Sequence, residues 1–117
     1  MQDIIIIGGG ACGFFTAINI AEKFPNKRIL ILEKAKEGLT KVRISGGGRC
    51  NVTNAEPNIS QFVKNYPRGE KELISAFHQF SNKELIQWFE NKGVKLKVET
   101  DGRVFPFSNT SQSIINC

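Results

Sequence analysis

The chain has 117 residues, of which 40% are hydrophobic and 23% charged, and it carries a formal net charge of +5. This length and composition are typical of one small globular domain. Its lysines and arginines are scattered without a block of like charge, which argues against the clustered basic face of a nucleic-acid binder. We therefore predict a small-molecule substrate and no nucleic-acid partner.

The three cysteines are Cys12, Cys50 and Cys117, an odd number with no CxxC pair. This pattern favours a reducing compartment over a disulfide scaffold. His78 is the only histidine, and no cysteine spacing resembles a metal site. The first apolar run lacks a basic leader and a cleavage site, and no segment has the apolar length of a membrane span. We predict a cytoplasmic location without metal or membrane association.

The beginning of the chain predicts a strand, a crossover helix and a second strand. Residues 3–7 form a continuous β-branched run, which is typical of the buried centre of a parallel sheet. Residues 11–24 are apolar on most faces of a helix, and Pro25 ends it. Residues 28–33 give the second strand. A crossover of this length makes the two strands parallel.

Residues 34–57 show no period of either kind, and we interpret them as one long glycine-rich loop. Residues 58–108 predict two helices and a β-hairpin. Ser81 and Glu84 form a capping box at the second helix, and Gly93 follows its last turn. Alternation through residues 94–98 and a turn at Asp101-Gly102 predict the hairpin.

Residues 109–117 look like the first turns of a helix, with Asn109 or Thr110 as its cap. We therefore divide the chain into a βαβ unit with its loop (1–57), helices with a hairpin (58–108) and a truncated helix (109–117). A chain that begins a nucleotide-binding fold and stops inside a helix is expected to be incomplete.

The motif that carries chemistry is "GGGACG", in which Gly8, Gly10 and Gly13 fit G-x-G-x-x-G between the first strand and the helix. Gly8 permits the turn, Gly10 lets the backbone approach a pyrophosphate, and Gly13 lets the helix pack on the strand. Glu33 ends the second strand, as the acid of this fingerprint does. The amides near Ala11 then point at the anion.

Glu33 argues against NADP as the dinucleotide, because its carboxylate would repel a 2′-phosphate. NAD and FAD remain. The long loop "KAKEGLTKVRISGGGRCNVTN" replaces the next short crossover of a simple NAD domain and could return over the nucleotide. This loop favours FAD.

Four stretches together resemble one flavoprotein family: "IIIIGGGACG", "LEK" at 32–34, "ISGGGRCNVTN" at 44–54 and "DGRVFP" at 101–106. It is the NAD(P)/FAD-dependent oxidoreductase family that includes aminoacetone oxidase-like and 3-dehydro-bile-acid reductase-like proteins. Its members are about three times longer, so the chain resembles their N-terminal third. The resemblance implies an α/β, Rossmann-like FAD-binding domain of the two-dinucleotide-binding-domain type, incomplete here, with a helical and β-hairpin insertion.

The resemblance also implies a set of cofactor-binding residues. Gly8, Gly10, Ala11 and Gly13 would hold the pyrophosphate, and Glu33 with Lys34 would take the adenosine ribose. The phosphate and flavin side would be lined by Lys41, Ser45, Gly46, Gly47, Arg49, Cys50 and Asn51. Many members carry Gly-Arg-Lys before this loop, where this chain has Leu39, Thr40 and Lys41, which puts the turn before Lys41 in question.

Arg49 and Cys50 each have two interpretations. Arg49 is expected to contact the cofactor, and the alternative is a surface ion pair. Cys50 is expected to pack beside the cofactor, because a redox thiol needs a resolving partner and no second cysteine is near it in sequence. No catalytic residue can be named, since a flavin carries the hydride chemistry itself.

The sequence thus predicts the N-terminal portion of an FAD-dependent oxidoreductase, with NAD(P)H a possible electron donor. The fragment alone is expected to be inactive and to bind FAD weakly. Two alternatives remain open: a non-catalytic dinucleotide-sensing module, and a flavoprotein of the tRNA-modifying type.

Overall fold

The computed structural model describes all 117 residues. Their contacts group them into two compact units, Met1–Ile44 and Ser45–Cys117, which are described separately below. None of the helices has the length and apolar character that crossing a membrane requires.

The first unit contains β1 (Ile4–Ile7), α1 (Ala11–Lys23), β2 (Ile29–Leu32) and α2 (Thr40–Ile44). β1 and β2 pair in parallel with Ile4 opposite Ile29, which confirms the predicted strand–helix–strand unit. Below the first pair, the carboxylate of Asp3 accepts hydrogen bonds from the Arg28 amide at 3.0 Å and from its Nε at 3.2 Å. These bonds extend the strand pairing at its open end and lower the pKa of Asp3.

The prediction that the first strand is buried on both faces is wrong for this chain. Ile4 and Ile6 are half-buried, whereas Ile5 is 55% and Ile7 79% exposed. Leu30 and Leu32 of β2 are exposed in the same way. Side chains of a strand point alternately to opposite faces, and α1 is the one helix that packs on both strands. An apolar run in a strand therefore indicates that both faces of the strand are suited to burial. It does not show that another element packs on both faces.

The second unit contains β3 (Thr53–Asn54), α3 (Ile59–Phe62), α4 (Glu70–Gln79), α5 (Asn82–Asn91), β4 (Leu96–Val98), β5 (Arg103–Pro106) and α6 (Gln112–Asn116). Its three strands form a sheet in the order β3-β5-β4, and both pairings are antiparallel. The β4–β5 pair is the predicted hairpin, which is confirmed.

The interpretation of residues 34–57 as a loop without secondary structure is wrong. The segment contains α2, a 3₁₀ turn over Ser45–Gly48 and the short strand β3. These elements have five residues or fewer. Hydrophobic periodicity needs a window of about 11 residues or more, so such short elements leave no periodic signal in the sequence.

The core of the second unit is formed by side chains from β5 and from the α3 region: Phe62, Val63, Val104 and Phe105. Phe62 also packs edge-on against Phe77 of α4, with ring centroids 4.9 Å apart. Together these contacts hold α3 and α4 against the unit's core.

The start of α5 is fixed by two polar side chains. Asn82 is buried, and its Nδ2 donates to the carbonyl oxygens of Asn54 at 2.6 Å and Glu56 at 2.8 Å. Ser81 and Glu84 form the predicted capping box, in which the Ser81 amide donates to Glu84 Oε2 at 2.8 Å. Gly93 follows the helix at φ +85°, as expected for a residue after the C-cap.

The predicted cap of the last helix is confirmed in its hydrogen bond at Thr110, whereas the residue directly before the helix is a different one. The residue before α6 is Ser111, which has helical backbone angles and makes no capping bond with its side chain. Asn109 lies in a left-handed turn at φ +57°, and the Thr110 hydroxyl accepts from the Gln112 amide at 3.3 Å. The turn that precedes α6 is thus made by Asn109, two residues before Ser111.

The capping box predicts the effect of replacing Ser81 with alanine. The Ser81→Ala variant should lose about 1 kcal/mol of unfolding free energy at pH 7 because the orphan amides of α5 lose their acceptor. Denaturant unfolding followed by circular dichroism measures it, with the exposed Ser75→Ala as the matched control.

The same loss should depend on pH. The serine side chain and amide lower the pKa of Glu84. Stability from this pair is therefore present above the unfolded-state pKa of Glu84 and is lost as the pH falls through its folded-state value. An equal difference between wild type and Ser81→Ala at pH 7 and pH 3 would contradict the role of ionised Glu84.

Candidate functional site

The turn after β1 is made by Gly8, whose φ is +102° and whose amide donates to the Leu32 carbonyl oxygen at 2.7 Å. This bond continues the β1–β2 pairing up to the turn. Gly10 then precedes α1 with extended backbone angles, and no heavy atom lies within 4 Å of the position that a Cβ would take there. The backbone at Gly10 is thus open to close approach by a ligand.

Gly13 lies in the first turn of α1 and is the buried residue of that helix. A Cβ at this position would overlap the carbonyl oxygen of Gly8 and would lie 3.6 Å from Cγ2 of Ile6. The third glycine therefore sets how closely the helix approaches the strand, which is the role that the sequence assigns to it.

Helix α1 itself places no negative group at its N-terminus. Its N-cap, Gly10, offers no side-chain hydrogen bond, and the first turn contains no acidic residue. Ala11 and Cys12 are exposed. The first amides of a helix have no intrahelical acceptor and carry the positive end of the helix dipole. This donor set fits the pyrophosphate of a dinucleotide.

Glu33 follows β2, and the fold brings its carboxylate to the glycine turn. Its Oε1 accepts from the Ala35 amide at 2.8 Å and its Oε2 from the Gly9 amide at 2.7 Å. These two bonds, Ala35 first, lower the pKa of Glu33, and the charge of Lys34 adds to the effect. An ionised carboxylate is a pure acceptor and suits the hydroxyl groups of a ribose.

Gly9 is the site residue that sequence reasoning missed, because it occupies a variable position of the motif.

The turn before Lys41 has a left-handed residue and a hydrogen bond to the glycine turn. Leu39 has φ +59°, and its amide donates to the Gly9 carbonyl oxygen at 2.8 Å. Lys41 itself is an exposed residue of α2.

In the second unit, the glycine run has a backbone reason. Gly46, Gly47 and Gly48 have φ values of +56°, +67° and +85°, which L-residues with a side chain adopt only at a cost. The Cys50 amide closes the turn by donating to the Ser45 carbonyl oxygen at 2.9 Å. Cys50 is itself left-handed at φ +63°.

Two of these glycines differ in their surroundings. A Cβ at Gly46 would lie 2.6 Å from the Asn51 amide nitrogen and 2.9 Å from Cε1 of Phe105. A Cβ at Gly47 would meet no heavy atom within 4 Å. Gly46 is therefore needed by the packing of the turn, whereas the exposed side of Gly47 leaves room for a ligand.

Arg49 takes part in the ion pair that the sequence left open as an alternative. Its Nη1 donates to Glu99 Oε1 at 2.6 Å, and its guanidinium lies 3.9 Å from the ring centroid of Phe105. Glu99 also pairs with Arg103 at 3.6 Å. Arg103 Nε in turn pairs with Asp101 Oδ2 at 2.7 Å, so the two guanidinium groups face two carboxylates and the charges of the cluster balance.

Asn51 and Cys50 complete the turn. With its amide oriented to satisfy its neighbours, Asn51 donates to the carbonyl oxygens of Thr53 at 2.9 Å and Val104 at 3.2 Å. Cys50 is 6% exposed, and burial raises the pKa of its thiol despite a hydrogen bond with Ser45. A protonated, buried thiol is a poor nucleophile, which agrees with a packing role.

The parallel strands, the glycine turn and the acid after β2 together define a Rossmann-type nucleotide-binding domain. Residues 2–117 match the HI0933-like protein Rossmann domain, and the chain belongs to that family. The resemblance drawn from the sequence motifs and the Rossmann-like α/β fold are thereby confirmed.

Several curated proteins are similar to the chain. It is 30% identical over 115 residues to the 3-dehydro-bile acid delta(4,6)-reductase of Clostridium scindens, covering 98% of this chain and 27% of that protein. It is 33% identical over 114 residues to the ribosomal RNA dihydrouridine synthase of Escherichia coli, covering 97% and 27%. A fumarate reductase flavoprotein subunit of Mycobacterium tuberculosis is 29% identical over 108 residues, covering 88% and 18%. The chain thus spans about a quarter of the length of the first two relatives.

The glycine turn of the second unit predicts different effects for two matched substitutions. Gly47→Ala should cost about 1 kcal/mol, the penalty of a left-handed backbone with a Cβ. Gly46→Ala should cost about 3 kcal/mol or more, because steric overlap with the Asn51 amide adds to the same penalty.

Denaturant unfolding of both variants, followed by Trp88 fluorescence, measures the difference. Equal losses would show that backbone strain alone governs the turn and that the contact of Gly46 with Phe105 has no energetic weight.

Proposed function

We propose that this chain is the FAD-binding N-terminal portion of a flavoprotein oxidoreductase. The observation that carries the proposal is the pairing of an uncapped helix N-terminus after Gly10 with the ionised carboxylate of Glu33 at the same turn. Such a pair suits a pyrophosphate joined to a ribose. Among dinucleotides, FAD is favoured because a similar protein is named as a flavoprotein subunit.

The residues of the first unit have separate tasks in this proposal. Gly8, Gly10, Ala11 and Gly13 present backbone to the pyrophosphate, and Glu33 accepts from the adenosine ribose. A 2′-phosphate would face the negative charge of Glu33, which disfavours NADP as the ligand of this site. Bound FAD supplies two-electron redox chemistry, for which NAD(P)H is the proposed electron donor.

The proposal extends to the second unit through the residues matched to the family's loop: Ser45, Gly46, Gly47, Arg49, Cys50 and Asn51, with Lys41 and Lys34 from the first unit. The backbone at Gly47 is accessible to a ligand. The guanidinium of Arg49, two residues further along the chain, is a cation that pairs with Glu99. Cys50 contributes packing. The Arg49 guanidinium suits a phosphate that replaces Glu99 as its partner.

The names of the relatives suggest a substrate type. A delta(4,6)-reductase, a dihydrouridine synthase and a fumarate reductase all describe addition of hydrogen across a carbon–carbon double bond. We propose the same reaction type for the whole protein. Saturation adds a hydride to one carbon and a proton to the other, and the two electrons come from the reduced cofactor.

A second candidate function is reduction of a base in RNA. Two of the similar proteins are named ribosomal RNA dihydrouridine synthases, at 33% and 31% identity. This observation favours the RNA-modifying alternative over a non-catalytic dinucleotide sensor. The sequence-based prediction of no nucleic-acid partner rests on scattered charge alone.

The ligand preference of the chain tests the main proposal. FAD should bind more tightly than FMN, which lacks the adenosine and the second phosphate, and NADP⁺ should bind more weakly than NAD⁺. Titration calorimetry on the purified 117-residue chain measures all four ligands. Equal binding of FAD and FMN, or tighter binding of NADP⁺ than NAD⁺, would contradict the roles of Gly10 and Glu33.

The RNA alternative predicts salt-dependent binding of RNA to a protein of the relatives' full length that carries this chain. The affinity for a uridine-containing ribosomal RNA fragment should fall steeply with salt, because phosphate contacts release counterions. Fluorescence anisotropy measures this affinity at salt concentrations from about 50 to about 200 mM. A DNA duplex of the same length is the control, and equal affinity for both would argue against RNA base reduction.

A further inference from the structure

Gly9 is a variable position of the G-x-G-x-x-G motif, yet it is the most enclosed residue of the turn. It is buried, whereas Gly8 is half-buried and Gly10 is exposed. Its φ is not positive, so its backbone conformation does not require glycine. Another constraint must therefore account for the absence of a side chain.

That constraint is the side chain of Glu33. A Cβ at Gly9 would lie 3.1 Å from Cβ of Glu33 and 3.3 Å from both its Cγ and its Oε2. These distances are tighter than ordinary van der Waals contact. Glycine at position 9 lets the glutamate lie directly against the backbone, and the Gly9 amide then donates to Oε2 at 2.7 Å.

The opposite side of Gly9 is also engaged. Its carbonyl oxygen accepts from the Leu39 amide at 2.8 Å. A Cβ at Gly38 would lie 3.0 Å from that oxygen and 3.0 Å from Cε2 of Phe14. The segment after β2 thus meets the glycine turn at two places, through Glu33 and through Leu39. Both bonds end on Gly9.

We propose that Gly9 is a positioning residue that holds the Glu33 carboxylate in the orientation in which it accepts hydrogen bonds from the two hydroxyl groups of the adenosine ribose. The inference rests on the proposed dinucleotide function. The Gly9 and Ala35 amides each take one carboxylate oxygen and fix the plane of the group. Each oxygen keeps a further lone pair for a hydroxyl donor, so a vicinal diol can be bound by both.

The first test needs no ligand. In the wild-type chain, the pKa of Glu33 lies below its ordinary value, and carboxyl ¹³C shifts followed against pH report it. Gly9→Ala should move this pKa upward, since the added methyl group separates the carboxylate from the Gly9 amide. Gly10→Ala is the matched control, because that position has extended backbone and no neighbour within 4 Å. A Glu33 pKa that is the same in Gly9→Ala and wild type would overturn the proposal.

The second test separates positioning from general damage to the turn. ADP carries both ribose hydroxyls and 2′,3′-dideoxy-ADP carries neither, and calorimetry gives the dissociation constant of each. Gly9→Ala should weaken ADP binding about tenfold, as expected for hydrogen bonds to a charged group, and leave dideoxy-ADP unchanged. Gly10→Ala should weaken both ligands by the same factor. Equal weakening of both ligands by Gly9→Ala would overturn the positioning role.

Glu33→Gln provides a second variant should Gly9→Ala fold poorly. It should reproduce the selective loss of ADP affinity. The double variant should lose no more ADP affinity than either single variant, since both substitutions act through the same carboxylate. Additive losses would contradict the proposal. If the wild-type chain binds neither ligand, the proposed dinucleotide function fails, and the carboxyl titration still decides whether Gly9 places Glu33.

Discussion

The first unit depends on the contact between α1 and the backbone of β1. Gly13 lies so close to the Gly8 carbonyl oxygen that no side chain fits between them, and this contact fixes where the helix begins relative to the strand. Because the helix begins there, its first amides are left beside the turn without acceptors of their own. The same geometry brings the end of β2 next to Gly8, through the bond to the Leu32 carbonyl oxygen, and so delivers Glu33 to the turn. The free amides of the helix and the position of the Glu33 carboxylate are thus two consequences of one close approach.

The second unit has a comparable organising residue in Phe105, which is completely buried. The guanidinium of Arg49 lies over its ring, and the glycine turn passes its edge at Gly46. The absence of a side chain at Gly46 lets the chain pass so near an aromatic side chain. The ion pair of Arg49 with Glu99 adds to this arrangement from the β4–β5 turn. Arg49 is therefore held by packing and charge together, and a ligand anion would compete with Glu99 for it.

The sequence predicts those parts of the structure in which the local pattern and the tertiary contact agree. The parallel βαβ unit, the capping box at Ser81 and the hairpin at Asp101-Gly102 follow from spacing alone, because each is specified by residues close together in the chain. α2 and β3 were missed because they are too short to be periodic, and exposure of Ile5 and Ile7 was missed because hydrophobicity does not report what covers a face. In the candidate site, the motif identifies Gly8, Gly10, Gly13 and Glu33, whereas Gly9 is found through its distance to Glu33, which spacing does not encode.

The relatives show why this part of the chain indicates a cofactor better than a substrate. Proteins named for a bile acid, for ribosomal RNA and for fumarate all resemble it at 29–33% identity over most of its length. The groups that it presents in the first unit are backbone amides and one carboxylate, and these suit the pyrophosphate and ribose that every FAD molecule carries. Groups that distinguish a steroid from a nucleobase or a dicarboxylate must differ among these proteins. Such groups are therefore expected in the three quarters of the first two relatives' length that this chain does not cover.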